Sequence, residues 1–216
     1  MIYRFPLKII RDMLLNQVSN NFFKSIEDES LIAKHLPEIL DRFEKNISAN
    51  ENKYYWKQNE NGDKEAFFDP LHTCQWALFL YLASNTIYKN ETEKKEAARV
   101  LCDKIYGQLK IVSGCDLYYE VEMPEVFKFE HPTGSYIGRA RFGEGFSFEH
   151  DCSVSCLEQG VYPVIGNNVS MKSGSSIIGN SVIGDNCVIM PGTMIKDENV
   201  PDNSIVSGMS PNLIIK

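Results

Sequence analysis

From Cys115 onward, aliphatic residues recur every six positions. Ile165, Met171, Ile177, Ile183, Ile189 and Ile195 lie six apart without a slip, and four residues after each stand Val169, Ser175, Ser181, Cys187, Thr193 and Asn199, mostly small. That period is neither the 3.6 of a helix nor the 2 of a strand. Self-similarity at a fixed period marks a solenoid. Each hexad predicts one flat face of a triangular coil: the aliphatic residue points into the prism, the small one fits near a corner, and Gly or Asn takes the tight turn, as in "IGDNCV". Three hexads close a coil of about eighteen residues, and coils stack about 4.8 Å apart. The rule runs earlier with slips. Leu117, Met123 and Phe129 are six apart, as are Tyr136, Phe142, Phe148 and Val154; one slip falls in "HPTGSY", another in "CLEQGVYP".

Up to about residue 112 the period is helical instead. In "ESLIAKHLPEILDRFEKNI", Leu31, Ile32, Leu36, Ile39, Leu40 and Phe43 recur at three- and four-residue intervals, one stripe of a helix. "FFDPLHTCQWALFLYLASNTIY" predicts a second helix, with Asp69 as N-cap and Pro70 at the first helical position. "NETEKKEAARVLCDKIYGQL" predicts a third: Asn90 and Glu93 stand at capping-box spacing, and Ala97, Val100, Leu101, Ile105 and Leu109 form its buried stripe. The polar stretch "NENKYYWKQNENGDKEA" reads as a loop. The expected organisation is α+β: an all-helical domain over 1–112, then a parallel β-helix over 113–216 with a C-terminal tail.

This coil length gives the tripeptide FEH, at 129–131 and again at 148–150, a reason to recur, since nineteen residues is one coil plus a slipped residue. His131 and His150 are therefore expected on adjacent coils, close to one above the other. For His150 alone, a cross-coil polar stack without chemistry is the simpler reading. Composition narrows the partners. A formal net charge of −7 over 216 residues excludes a general nucleic-acid binder, which needs a basic face. The six cysteines form no CxxC pair and no metal-ligand spacing, so unpaired thiols in a reducing cytosol are expected. The start "MIYRFPLKIIRDMLL" has no cleavage-type site, and "WALFLYLA" is too short to span a bilayer. A cytoplasmic protein with neither membrane nor nucleic-acid contact is the expectation.

At these residues the chain resembles the hexapeptide-repeat acyltransferases of left-handed parallel β-helix fold, most of all the serine O-acetyltransferases and their relatives in surface-polysaccharide pathways. "CDLYYEVEMPEVFKFEHPTGSYIG" matches the family segment from a catalytic Asp to a catalytic His followed by Thr-Gly and Ile-Gly, with Asp116 on the Asp, His131 on the His and the intervening length preserved. "VYPVIGNNV" resembles the family's His-Pro-x-Ile-Gly turn, and "VPDNSIVSGMSPNLI" its terminal tail. In the helical half, "LHTCQ", with His72 and Gln75, resembles a Phe-His-x-x-Gln helix start; satisfied polar groups within a helix explain it equally. Three departures touch the acceptor side: Tyr162 replaces the second His, Glu130 replaces the Asp before the catalytic His, and the chain between His131 and Tyr162 is shorter.

The resemblance implies acetyl transfer from acetyl-CoA to a hydroxyl of a small acceptor, a sugar or L-serine. His131 would be the general base and Asp116 its orienter; Glu130, Tyr162 and His150 would border the acceptor. Imidazole suits the proton removal, and a neighbouring carboxylate fixes its tautomer and stabilises the imidazolium. Backbone N–H groups of the slipped turn are candidates for the oxyanion. By family position Ser173 and Pro191 would meet the pantetheine arm, Pro191 through its carbonyl alone; Lys172 and Lys196 are candidates for its phosphates by charge, with solvated surface lysines as the simpler reading. No metal is expected. The resemblance further implies a homotrimer with its site between neighbouring subunits, and a helical half that caps the solenoid and joins trimers into a hexamer. Two other readings stand beside this one: a metal-dependent hydratase of the β-helical carbonic anhydrase type, which needs three His ligands where the β-helix has two, and a catalytically silent trimeric scaffold.

Overall fold

Where the apolar stripes have a helical period, helices form. The computed structural model describes residues 1–216, in two compact units, Met1–Val112 and Ser113–Lys216. The first contains β1 (Ile2–Tyr3), α1 (Leu7–Asn21), α2 (Asp28–Ser48), β2 (Trp56–Gln58), β3 (Lys64–Phe68), α3 (Thr73–Asn90) and α4 (Lys95–Ser113). Nearly every residue of α3 from Cys74 to Ile87 is buried, as an apolar run without a polar face requires. Phe43, Phe68, Trp76 and Phe79 pack ring against ring where α2, α3 and β3 meet. The stretch read as a loop forms a hairpin. β2 and β3 are antiparallel, β1 joins β3 in parallel, and Asn59 closes the turn by accepting from the N–H groups of Asn61 and Asp63.

Two caps differ from expectation. His72, not Asp69, caps α3, its Nδ1 accepting from Gln75 N–H at 3.4 Å; Asp69 instead pairs with Arg4 at 2.6 Å. At α4 the capping-box pair is replaced by Glu91, whose Oε1 accepts from the N–H groups of Glu93 and Lys94. Its Oε2 meets Lys34 Nζ at 2.8 Å and His35 Nε2 at 3.0 Å. Lys34 leads these contacts in holding the Glu91 carboxyl well below the usual carboxylate range.

The second unit is a parallel β-helix. Its strands are β4 (Asp116–Leu117), β5 (Phe127–Phe129), β6 (Tyr136–Ile137), β7 (Arg141–Phe142), β8 (Phe146–Phe148), β9 (Ser153–Ser155), β10 (Val164–Ile165), β11 (Ser170–Met171), β12 (Ser176–Ile178), β13 (Val182–Ile183), β14 (Val188–Ile189), β15 (Met194–Lys196), β16 (Asn199–Val200), β17 (Ile205–Met209) and β18 (Asn212–Ile215). One face stacks β4-β6-β9-β12-β15, a second β5-β8-β11-β14, a third β7-β10-β13-β16. β17 bends from the second face onto the first, and β18 folds back antiparallel on it. The hexad residues Ile165, Met171, Ile177, Ile183, Ile189 and Ile195 are all buried and meet their counterparts one coil on, Ile165 opposite Ile183 and Met171 opposite Ile189. The small residues Ser175, Ser181, Cys187 and Thr193 fill the corners.

The pattern misplaces two residues. Tyr136 faces out at 48% exposure and Ile137 points in at 1%; near the far end Asn199, expected at a corner, is exposed, and the inward residue after Ile195 is Val200, five positions on and not six. The corner before β6 holds two residues more than its neighbour one coil on, and the corner before β16 one fewer than the hexad count. A one-residue error in the count puts a strand's side chains on the wrong side.

Candidate functional site

The corner between the second and first faces carries His131. Between β5 and β6 the chain takes seven steps, from Phe129 to Tyr136; between β8 and β9, in register with them, it takes five, from Phe148 to Ser153. Two extra residues therefore bulge at this corner. Glu130 and Glu149 keep register, donating N–H to Phe148 and Met171 carbonyls respectively, while Asp151 N–H donates to the Thr133 carbonyl. His150 thus lies over Thr133, not over His131. The expected stack of the two imidazoles is absent because His131 and Pro132 are the bulge.

The bulge turns His131 into the left-handed backbone region, φ +50°, and leaves it exposed. Six non-glycine residues adopt that conformation; five are Asn or Asp, residues whose short polar side chains tolerate it, and the sixth is His131. Asp116 lies on the coil beneath. Its N–H donates to Ser135 O at 2.8 Å, Gly134 N–H to Gly114 O at 3.1 Å, and Thr133 Oγ1 to Ser113 O at 3.1 Å. Asp116 pairs with Tyr136 in register; both lie on the outer side of the first face, while Leu117 and Ile137 point in. The structure therefore places Asp116 and His131 at one corner of adjacent coils. The imidazole of this unit that meets a carboxylate is His150, whose Nδ1 lies 3.0 Å from Asp151 Oδ2.

The turn's N–H groups are already used. Thr133 donates to His131 O, Gly134 to Gly114 O and Ser135 to Pro132 O. The expectation that these groups serve an oxyanion fails at those three residues. Cys115, beside Asp116, is no nucleophile: burial, with the Asp116 charge and Cys152, pushes its thiol up to about 12.

One coil on, the same corner is clamped by Glu149. Its Oε1 accepts from Lys172 Nζ at 3.0 Å, and its Oε2 from Ser173 N–H at 3.1 Å and Ser173 Oγ at 2.7 Å. Burial raises the Glu149 carboxyl, but the bonds from Ser173 and Lys172 outweigh it and hold it below the usual carboxylate value. Two residues expected at a cofactor, Lys172 and Ser173, thus end on this carboxylate. Pro191 is exposed directly above, where Gly192 N–H donates to Ser173 O. Sequence reasoning missed Glu149; its only signal is its place in the second FEH. A groove lined by Lys128, Glu130, Ser147, Glu149, Ser170 and Lys172 runs beside the corner.

Tyr162 sits elsewhere. It precedes β10, at the corner between the first and third faces, and lines a cavity with Arg139, Arg141 and Pro163. Within one chain the structure does not bring Tyr162 to His131, Glu130 or His150. No group of three His, Cys, Asp or Glu side chains is placed to hold a metal ion, and no helix is long and apolar enough to cross a membrane.

The profile of the family described as bacterial transferase hexapeptide (six repeats) matches residues 162–197. No curated protein sequence matches the chain. Several solved structures do. Serine acetyltransferase from Neisseria gonorrhoeae superposes with a TM-score of 0.69 at 19% identity, over 95% of this chain and 78% of that one. The enzyme from Brucella abortus strain S19 gives 0.70 at 16%, over 95% and 82%. A serine acetyltransferase solved in complex with CoA gives 0.68 at 16%, over 96% and 83%. At such identities the likeness is one of fold, and it covers both units. The chain carries the serine acetyltransferase fold, helices followed by a left-handed parallel β-helix of hexapeptide repeats.

Proposed function

We propose that the protein is an acyltransferase that moves the acetyl group of acetyl-CoA to a hydroxyl of a small acceptor, with His131 as general base and Asp116 as the residue that positions it. The observation that carries this reading is the two-residue bulge, which spends a left-handed backbone position on an exposed histidine directly above Asp116's coil. A residue held in a sparsely populated conformation is a reason to look for function. The fold of serine acetyltransferases and the hexapeptide match support the same reaction class.

In this reading the acceptor hydroxyl gives its proton to His131 as its oxygen attacks the thioester carbonyl. The tetrahedral intermediate collapses, the C–S bond breaks, and the leaving thiolate takes the proton back from the imidazolium. Asp116 holds the ring and stabilises its charged form. For the donor, Ser173 N–H becomes available to a carbonyl of the pantetheine arm when Glu149 turns away, and Lys172 is then free to meet a phosphate.

Because His131 and Tyr162 occupy different corners, a site that uses both forms between protomers. Val164 and Val182, exposed one above the other on the third face, give that packing an apolar strip. A homotrimer is therefore part of the proposal. The hydratase reading asks for three His ligands, and the β-helix of each protomer carries two, His131 and His150. The test is release of free thiol from acetyl-CoA against amino acids, free sugars and nucleotide sugars. Acceptor-dependent release supports the reading; no release with any hydroxyl acceptor, from protein that is folded and trimeric, rejects it.

A further inference from the structure

The helical unit has a cavity of its own, about 390 Å³, between the end of α3 and the first turns of α4. Three cations line it, Lys89, Lys95 and Arg99, in a chain whose net charge is −7. Its carboxylates are Glu91 and Glu96. Glu91 is buried and already engaged: its Oε1 accepts from the N–H groups of Glu93 and Lys94, and its Oε2 meets Lys34 and His35. Of the lining carboxylates, Glu96 alone is left to face the three cations. Lys95 and Arg99 stand four residues apart on α4, a spacing at which like charges repel. Arg99 is held at the wall, its guanidinium carbon 5.6 Å from the centre of the Tyr88 ring. The Lys95 ammonium and the Thr92 hydroxyl, both in the lining, meet no hydrogen-bond or ion-pair partner.

Side chains, not the helix end, carry the charge of this cavity, because Glu91 already takes the N–H groups that lead into α4. Two ammonium groups and a guanidinium around one opening match a doubly charged anion. A phosphate monoester carries about −1.5 to −2 at neutral pH and offers three acceptor oxygens. A guanidinium can hold two of those oxygens in parallel, and lysines add point charges. The volume falls within the roughly 300–1,000 Å³ of small-molecule sites. We propose that this cavity binds a small phosphate monoester, with Lys95 and Arg99 as its anchoring cations, Lys89 contributing from the end of α3 and the Thr92 hydroxyl as a neutral donor. The proposal stands apart from the transferase reading: every lining residue belongs to the helical unit, and none is part of the acetyl-transfer corner. A ligand held there by the folded chain alone raises its melting temperature.

The experiment is calorimetric titration of the full-length protein with glucose, glucuronate and glucose 6-phosphate, repeated on Lys95→Gln and Arg99→Gln. The expected result is binding of glucose 6-phosphate at least tenfold tighter than that of either other sugar, weakened by added salt and at least fivefold weaker in each variant. The same probe should raise the melting temperature of wild type more than that of the variants. Both side chains are exposed, so the variants should fold, which their melting curves without ligand check. Lys95→Gln removes a group that touches nothing else, so its result stands even where Arg99→Gln disturbs the Tyr88 wall. No binding of glucose 6-phosphate, glucuronate bound as tightly as the phosphate, or an affinity unchanged by Lys95→Gln overturns the proposal. Acetyl transfer is not part of the readout, so neither result bears on the reaction proposed at His131.

Discussion

Replacing Glu149 with Gln keeps the shape of the corner clamp and removes its charge. The carboxylate receives two bonds from Ser173 and one from Lys172, at 2.7, 3.1 and 3.0 Å. Hydrogen bonds to a charged group are worth about 1.5–3 kcal/mol, but the side chains of Glu149 and Lys172 are 31% and 38% exposed. Solvent screening at that exposure leaves about 1–2 kcal/mol for the clamp as a whole. The sign with pH follows from the lowered carboxyl pKa. The charged form is favoured in the folded state, so the stabilisation is present above the ordinary carboxylate value of about 4.3 and fades as the pH falls through the folded one. Thermal unfolding of wild type and Glu149→Gln should therefore differ by several degrees at neutral pH and converge in acid. The donor side should move the other way. With Ser173 N–H no longer held by a charged competitor, the KM for acetyl-CoA should fall in the variant. A variant as stable as wild type at neutral pH, or a deficit that persists undiminished in acid, would refute the clamp; a raised KM would mean that Glu149 organises the donor site instead of obstructing it.

Two further outcomes test the framework. Ile177→Ala removes a fully buried side chain packed in register between Val154 and Ile195 and should cost about 2–5 kcal/mol in urea denaturation; a loss below half a kcal/mol would mean that the prism interior is not close-packed. Glu91→Gln should melt below wild type at neutral pH, because it weakens both the α4 cap and the Lys34–His35 contacts, and the gap should narrow as acid protonates the wild-type carboxylate. A gap that widens in acid would reverse the sign argued from its lowered pKa.

The solenoid was legible because its core repeats. Ile165 to Ile195 declare an inward residue every sixth position, and nothing in a helix or an isolated strand imposes that spacing. The corners were less legible. Tyr136 and Ile137 are neighbours of similar bulk, and a count of six cannot tell whether the slip in "HPTGSY" falls before or after the next inward residue. The register shows that His131 and Pro132 are the inserted pair, which separates two histidines that identical tripeptides seemed to stack. Glu149 left almost no trace, since a carboxylate that binds a residue twenty-four positions on has no local pattern. The β2–β3 hairpin was hidden for a different reason: β2 is mostly exposed, so its alternation carries no apolar signal. Of the proposed site, the Asp116–His131 spacing was readable, whereas the placement of Tyr162 at another corner follows only from counting strands around the prism.

Turnover by His131→Ala, followed as thiol release at saturating acceptor, tests the base at the bulged corner most directly. The account predicts a kcat loss of about 10²–10⁴-fold, the usual contribution of a positioned general base, with KM for acetyl-CoA and the oligomeric state little changed. A kcat within threefold of wild type would contradict it and move the proton acceptor to another residue.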